Sequence, residues 1–254
     1  MSLRVELIRR FRAAGLHLLI SAAIATLAAW LVFGLWYPGI YRALAGGRDL
    51  FFLLASVDVV LGPLLTFAVF NVAKGWRHLR RDLAIIGLIQ MLALGYGLHT
   101  VFVVRPVGLV LEGNRFRMVS AKDVRTSELL DARSEYRALP LTGPWLLGTR
   151  QAKSVTENND ALFMAVGGID VGQRPSFWQP YSDSRVDALA KSRPLEALLL
   201  RYPERSADLR AMLQDTKIEV ANLRFLPVIA RDDWTVVIDP AGNPIAYLPV
   251  NGFF

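Results

Sequence analysis

The chain has 254 residues, 53% of them hydrophobic, with a mean hydropathy of +0.34, a net charge of +7 and no cysteine. The absence of cysteine excludes disulfides, thiolate metal sites, iron–sulfur clusters and cysteine nucleophiles together. Nearly all the excess positive charge lies in residues 1–104, which hold ten Lys and Arg against four acids (Glu6, Asp49, Asp58, Asp82); this reads as membrane topology signalling, not as a nucleic-acid-binding patch, which belongs on a soluble surface.

The segment before residue 15 carries Arg4, Arg9, Arg10 and Arg12, and residues 15–36 then run apolar. A secretory signal peptide has a shorter apolar core and a small-residue cleavage site, so 15–36 is expected to be a retained first span. It ends in Trp36-Tyr37-Pro38, which reads as an interfacial aromatic anchor. A short loop with Arg42 and Arg48 leads to a second span over 51–71, and Lys74, Arg77, Arg80 and Arg81 precede a third over 83–104. Four positive charges before the first span, two after it and four between the second and third place the N-terminus and the 74–82 loop in the cytoplasm. Residues 105–254 then fall on the other side, which in a bacterium is the periplasm, with residues 1–104 as a separate membrane domain.

The second span, FFLLASVDVVLGPLLTFAVFN, holds a carboxylate. An Asp near the middle of a membrane helix costs about 2.5–3.5 kcal/mol on insertion scales, so something within the membrane must satisfy Asp58. Pro63 lacks an N–H, leaves the Val59 carbonyl without its helical donor and predicts a kink. A carboxylate beside a kink is either a site or a structural clasp between helices, and both readings stand. Counting about 1.5 Å per residue from the span ends sets Asp58 level with Tyr96, His99 nearer the surface, and Thr66 level with Gln90. Asp58–Tyr96 and Thr66–Gln90 are therefore candidate interhelical hydrogen bonds, worth about 0.6–2 kcal/mol each in membranes. His17, near the inner end of the first span, reads as an interfacial residue.

Residues 105–254 are nearly charge-balanced and long enough for one core. Segments 107–112 and 115–121, separated by Gly113-Asn114, predict two strands joined by a tight turn. Ser154-x-x-Glu157 is a capping box that introduces a short helix over DALFMAV, closed by Gly167-Gly168. Phe177, Trp178 and Tyr181 lie in a proline-flanked loop that either offers a contact surface or folds back as a lid on the core. Residues 184–191 and 195–202 predict two helices, the second opened by Pro194 and closed by Pro203. Ser206 is expected to cap a third, with Leu209, Met212 and Leu213 on one face. The runs NLRFLPVIA, DWTVVIDP and NPIAYLPV predict an antiparallel meander. The expected fold is thus three N-terminal transmembrane α-helices followed by a periplasmic α+β domain with an antiparallel sheet.

LWYPGIY, DVVLGPLLTFAVFN, LRRDLAIIGLIQMLALGYGLHTVFVVRPV and the closing DWTVVIDPAGNPIAYLPV resemble the type IV pilin accessory proteins of the TfpX/TfpZ family. The likeness is strongest over residues 33–115. It implies an inner-membrane protein that helps a cognate major pilin be stable, presented or assembled, and so affects piliation and twitching. Other pilus assembly proteins are further implied partners, beside the lipid bilayer. Asp58, Gly62, Pro63 and Thr66 match the family's membrane motif, and Tyr37 and Pro38 match the end of its first span; the family supplies no catalytic residues to carry over.

Catalysis is not expected. The three histidines, His17, His78 and His99, all precede residue 105, which leaves no imidazole there for a Ser-His-Asp triad or a metal site. Asp232, Asp233 and Asp239 form the nearest acidic cluster and read as turn residues. No cofactor or metal is expected. The alternative class is a membrane-anchored periplasmic sensor or regulator in which Asp58 and Pro63 form a two-state element, although the cytoplasmic segments are short for an output domain.

Overall fold

A computed structural model describes residues 3–71 and 75–254, so Lys74 of the basic loop lies outside the described residues. The chain divides into two compact units, Met1–Arg42 with Gly46–Val104, and Ala43–Ala45 with Arg105–Phe254.

The first unit is built on helices α1 (Leu3–Trp30), α3 (Gly47–Val69) and α4 (Trp76–Val103); a one-turn helix α2 (Tyr41–Leu44) follows α1 in the chain, with Ala43 and Leu44 counted in the second unit. Leu19, Leu27, Leu53, Leu64, Leu88 and Leu92 all point outward. Helices apolar on every side are either deeply buried or surrounded by lipid; these three are long and apolar enough to cross a membrane. α3 is the middle helix and packs on both others. α1 continues through a π-helical stretch, Leu31–Trp36, where the Tyr37 N–H reaches back to the Val32 carbonyl at 2.7 Å. This turn swings Tyr37 inward. Its ring is fully buried, and its hydroxyl donates to the Val101 carbonyl at 3.0 Å. Tyr37 is therefore a tie between the ends of α1 and α4, not an interfacial anchor. Gly47 makes room for it, because a Cβ there would lie 2.3 Å from the ring.

The second unit carries an eight-stranded sheet: β1 (Pro106–Glu112), β2 (Arg115–Ser120), β3 (Trp145–Thr149), β4 (Trp178–Pro180), β5 (Arg193–Pro194), β6 (Arg224–Ile229), β7 (Trp234–Ile238) and β8 (Pro244–Leu248). The order is β4-β3-β1-β2-β6-β7-β8, with β5 also on β6. The β1–β2 hairpin turns at Gly113, whose φ of 61° suits the first position of a two-residue turn. β6, β7 and β8 form the antiparallel meander. The sheet as a whole is mixed, which corrects the antiparallel expectation. β1 runs parallel to β3, and β2 parallel to β6. Parallel neighbours need long crossovers, and residues 113–144, which include β2, and 121–223 supply them. β1, buried along its whole length, is a near-continuous apolar run of the kind central strands show.

Two apolar clusters support the sheet, one around Val107, Val110, Leu147 and Trp178, the other around Leu195, Leu198, Leu209, Phe225 and Leu248. The second cluster is covered by α7 (Leu195–Arg201) and α8 (Ser206–Ala211), with α6 (Arg185–Lys191) preceding them. Pro194 sits at the N-cap of α7. Ser206 is not the cap of α8: it lies inside the helix and its hydroxyl donates to the Pro203 carbonyl, while Arg205 holds the N-cap position. Leu209 and Leu213 are buried, but Met212 is half exposed.

Helix α5 (Val155–Val166) begins at Ser154, whose Oγ accepts the Glu157 N–H at 3.1 Å. Arg150 donates to both Glu157 oxygens at 2.7 and 3.0 Å, and the Lys153 N–H donates to the same carboxylate. These bonds hold the Glu157 carboxyl at about 2, below its ordinary 4.5. A depressed pKa gives stability that is complete above the unfolded value and lost as pH falls through the folded one. Between about pH 5 and about pH 2 the amides of the first turn of α5 should therefore lose exchange protection, and Glu157→Gln should abolish that pH dependence.

Candidate functional site

Three polar side chains of the long helices, those of Thr66, His17 and Gln90, meet in one chain of hydrogen bonds. Thr66, on α3, is 2% exposed, and its Oγ1 stands 2.5 Å from Nδ1 of His17 on α1. The other ring nitrogen of His17, Nε2, stands 2.8 Å from Oε1 of Gln90 on α4. Gln90 in turn donates from Nε2 to the main-chain carbonyl of Asp58 at 3.1 Å. The directions follow from the last link. With Nε2 of Gln90 donating, its Oε1 must accept, so His17 carries its proton on Nε2 and its Nδ1 accepts from the Thr66 hydroxyl.

Helix geometry explains why these four meet. Gly62 lies one turn from both Asp58 and Thr66, and a Cβ on it would stand 2.2 Å from Gln90 Nε2. The glycine is the slot into which Gln90 fits. Pro63 follows inside α3 and offers no N–H of its own. Thr66 and Gln90, level by depth, are joined not to each other but through His17, which reaches across from α1. His17 is thus part of the polar contacts between the helices. α1 starts at Leu3, which puts His17 well inside the helix, whereas a span counted from residue 15 sets it at an end.

Asp58 and Tyr96 do not pair. The Tyr96 side chain is 75% exposed on the outer face of α4. Because α3 begins at Gly47, Asp58 lies at its midpoint and not towards one end. Asp58 lines a cavity of about 260 Å³ with His17, Ser21, Ala25, Gly87 and Gln90, and among the described residues no hydrogen bond or ion pair reaches its carboxylate. The arrangement can recognise a partner that brings a hydrogen-bond donor to Asp58; the Thr66 hydroxyl, held on His17, is itself 2% exposed.

In the second unit the aromatic loop turns inward. Phe177, Trp178 and Tyr181 are 2%, 1% and 4% exposed. Trp178 Nε1 donates to the Gly172 carbonyl at 2.8 Å, and Phe177 lies under the guanidinium groups of Arg150 and Arg174. The Tyr181 hydroxyl donates to the Gly242 carbonyl at 2.5 Å, and burial pushes its pKa up to about 12. These three side chains are packed within the unit. Asp239 closes the β7–β8 turn. Partial burial opposes its charge, but hydrogen bonds from Asn243 and Ala241 outweigh this and keep the carboxyl below its usual value.

An exposed apolar surface of this unit lies on α5. Leu162, Phe163 and Val166 are 60%, 79% and 90% exposed, Val155 joins them at the other end of the same face, and Ala161 alone is buried. Adjacent large apolar side chains left in solvent mark contact surfaces more often than chance placement does.

Comparison with known proteins follows the same lines. A family model described as fimbrial assembly protein FimB matches residues 5–46, a stretch that includes His17. The fimbrial assembly proteins of serogroups I and E1 of Dichelobacter nodosus are 32% and 31% identical to the chain over 242 residues, which cover 94% of this chain and 94% of each relative. The fimbrial assembly protein of serogroups C1 and C2 of the same organism is 39% identical over 118 residues, 46% of this chain and 90% of that one. No solved structure matches the chain significantly.

Proposed function

This chain belongs to the family of fimbrial assembly proteins, and from that premise we propose that it is a non-catalytic inner-membrane accessory protein that binds a type IV pilin and assists its passage into the fibre. The observation that carries this is the identity of 32% over 94% of both chains to a protein named for fimbrial assembly. The three long helices are the membrane anchor, with the N-terminus in the cytoplasm and residues 105–254 in the periplasm.

Physical reasons support the reading. A subunit that waits in the membrane before polymerising exposes an apolar helix and a head group, and both need a temporary partner. The helical unit offers polar groups and a cavity at membrane depth. The other unit offers the apolar face of α5.

Two experiments test this. A detergent pull-down of the full chain from native membranes should recover the pilin, and its deletion should reduce surface fimbriae. Recovery of no pilin, together with normal fimbriation in the deletion strain, would sink the proposal. Phe163→Ser combined with Val166→Ser should leave stability within about 0.5 kcal/mol, since both side chains are solvent-exposed, yet lower pilin recovery several-fold. Unchanged recovery would remove α5 from the interface.

A further inference from the structure

The cavity beside Asp58 is a groove with a defined shape. α3 forms its floor with Phe51, Leu54 and Asp58, while α1 and α4 form its walls. Along α1 it runs from His17 to Ala28, a rise of about 16 Å or three helical turns. The α1 wall presents Ser21, Ala25 and Ala28, and the α4 wall presents Gly87. Small residues at such spacing let a further helix backbone come close. A volume of about 260 Å³ admits the side chains along one face of a helix and not a whole helix, whose body is about 10–12 Å across.

Chemistry narrows the occupant. An acyl chain fits the apolar walls but brings no donor to the carboxylate on the floor. The neighbouring polar groups are not free to serve: His17, Thr66 and Gln90 are engaged with one another and with the Asp58 carbonyl. Ser21 also lines the groove, but no hydrogen bond joins its hydroxyl to the Asp58 carboxylate, which leaves that carboxylate open to a donor brought by the occupant.

We propose that this groove seats one face of the transmembrane helix of the fimbrial subunit, a face of small apolar residues with a single hydrogen-bond-donating side chain opposite Asp58. The inference rests on the functional reading above and adds the site, the mode of packing and the chemistry of the contact. Docking completes a four-helix arrangement in which the α1–α3–α4 unit supplies three members. The Asp58 carboxylate sets the level at which the visiting helix stops.

A photo-crosslinking side chain placed at Ala25, inside the groove, and separately at Leu19, which is 69% exposed on the outside of α1, tests this in cells that make fimbriae. The subunit adduct from position 25 should exceed that from position 19 about tenfold, and Asp58→Leu should lower it about tenfold, while Asp58→Asn, which keeps an acceptor, retains most of it. Equal adducts at both positions, an adduct indifferent to Asp58→Leu, or a dominant adduct to lipid or to a second copy at position 25 would each overturn the groove assignment. If the groove fails in any of these ways while pull-down still recovers the subunit, the functional reading stands without it. If pull-down recovers no subunit either, both fall.

Discussion

Glu112→Ala is expected to destabilise the sheet-bearing unit by about 3–5 kcal/mol, the range for removing one partner of a buried ion pair. Glu112 is 4% exposed at the end of β1. Its Oε1 accepts from Arg115 Nε at 3.0 Å and Arg117 Nε at 2.8 Å, and its Oε2 accepts from the Gly172 N–H at 3.0 Å. Both arginines also meet Asp170, which would be left alone with two guanidinium groups. The carboxylate additionally holds residues 170–173 against the hairpin, and a Cβ at Gly172 would stand 2.5 Å from its Oε2. That turn receives the Trp178 indole N–H, so the damage spreads to a residue at the centre of the core. Glu112→Gln should be milder: it keeps the shape but turns an NH₂ towards donors, at about 1–3 kcal/mol. Urea unfolding followed by tryptophan emission measures both, and a midpoint for Glu112→Ala equal to wild type would show that the cluster contributes little.

Sequence legibility differed between the units for physical reasons. Local signals translated well. Gly113-Asn114 marked the hairpin, Ser154 capped α5, and Pro194 opened α7, because each acts within a few residues. Non-local pairings did not. The WLLGT run of β3 carries no mark that tells it to lie parallel to β1 across an intervening irregular stretch. Ser206 shows a milder version of the same problem: a hydroxyl near a helix start can bond backwards to Pro203 as easily as forwards to an N–H. Nor does the pattern of α5 say which side faces the sheet, and its apolar side faces out. Among the long helices, level-matching finds groups at one depth but ignores rotation about each axis. It set Asp58 beside Tyr96, whose side chain points away, and passed over His17, whose rotation brings it between Thr66 and Gln90.

Gln90→Ala is expected to be the most damaging single truncation in the helical unit, since Gln90 links all three long helices. It gives up the bonds to His17 and to the Asp58 carbonyl, each worth about 0.6–2 kcal/mol in such surroundings. It also empties the space that Gly62 leaves for it, and a total of about 2–4 kcal/mol follows when the lost packing is included. His17→Leu should cost less, because the Thr66 hydroxyl can turn to the carbonyl one turn back on its own helix and Gln90 keeps its bond to Asp58. The two residues act through one hydrogen bond, so the double variant His17→Leu/Gln90→Ala should be less damaged than the sum of the singles by about 0.5–2 kcal/mol. Helical circular dichroism of the purified chain in micelles, followed through unfolding, gives all four corners of that cycle. Strict additivity would mean that the contact between the imidazole and the amide stabilises nothing.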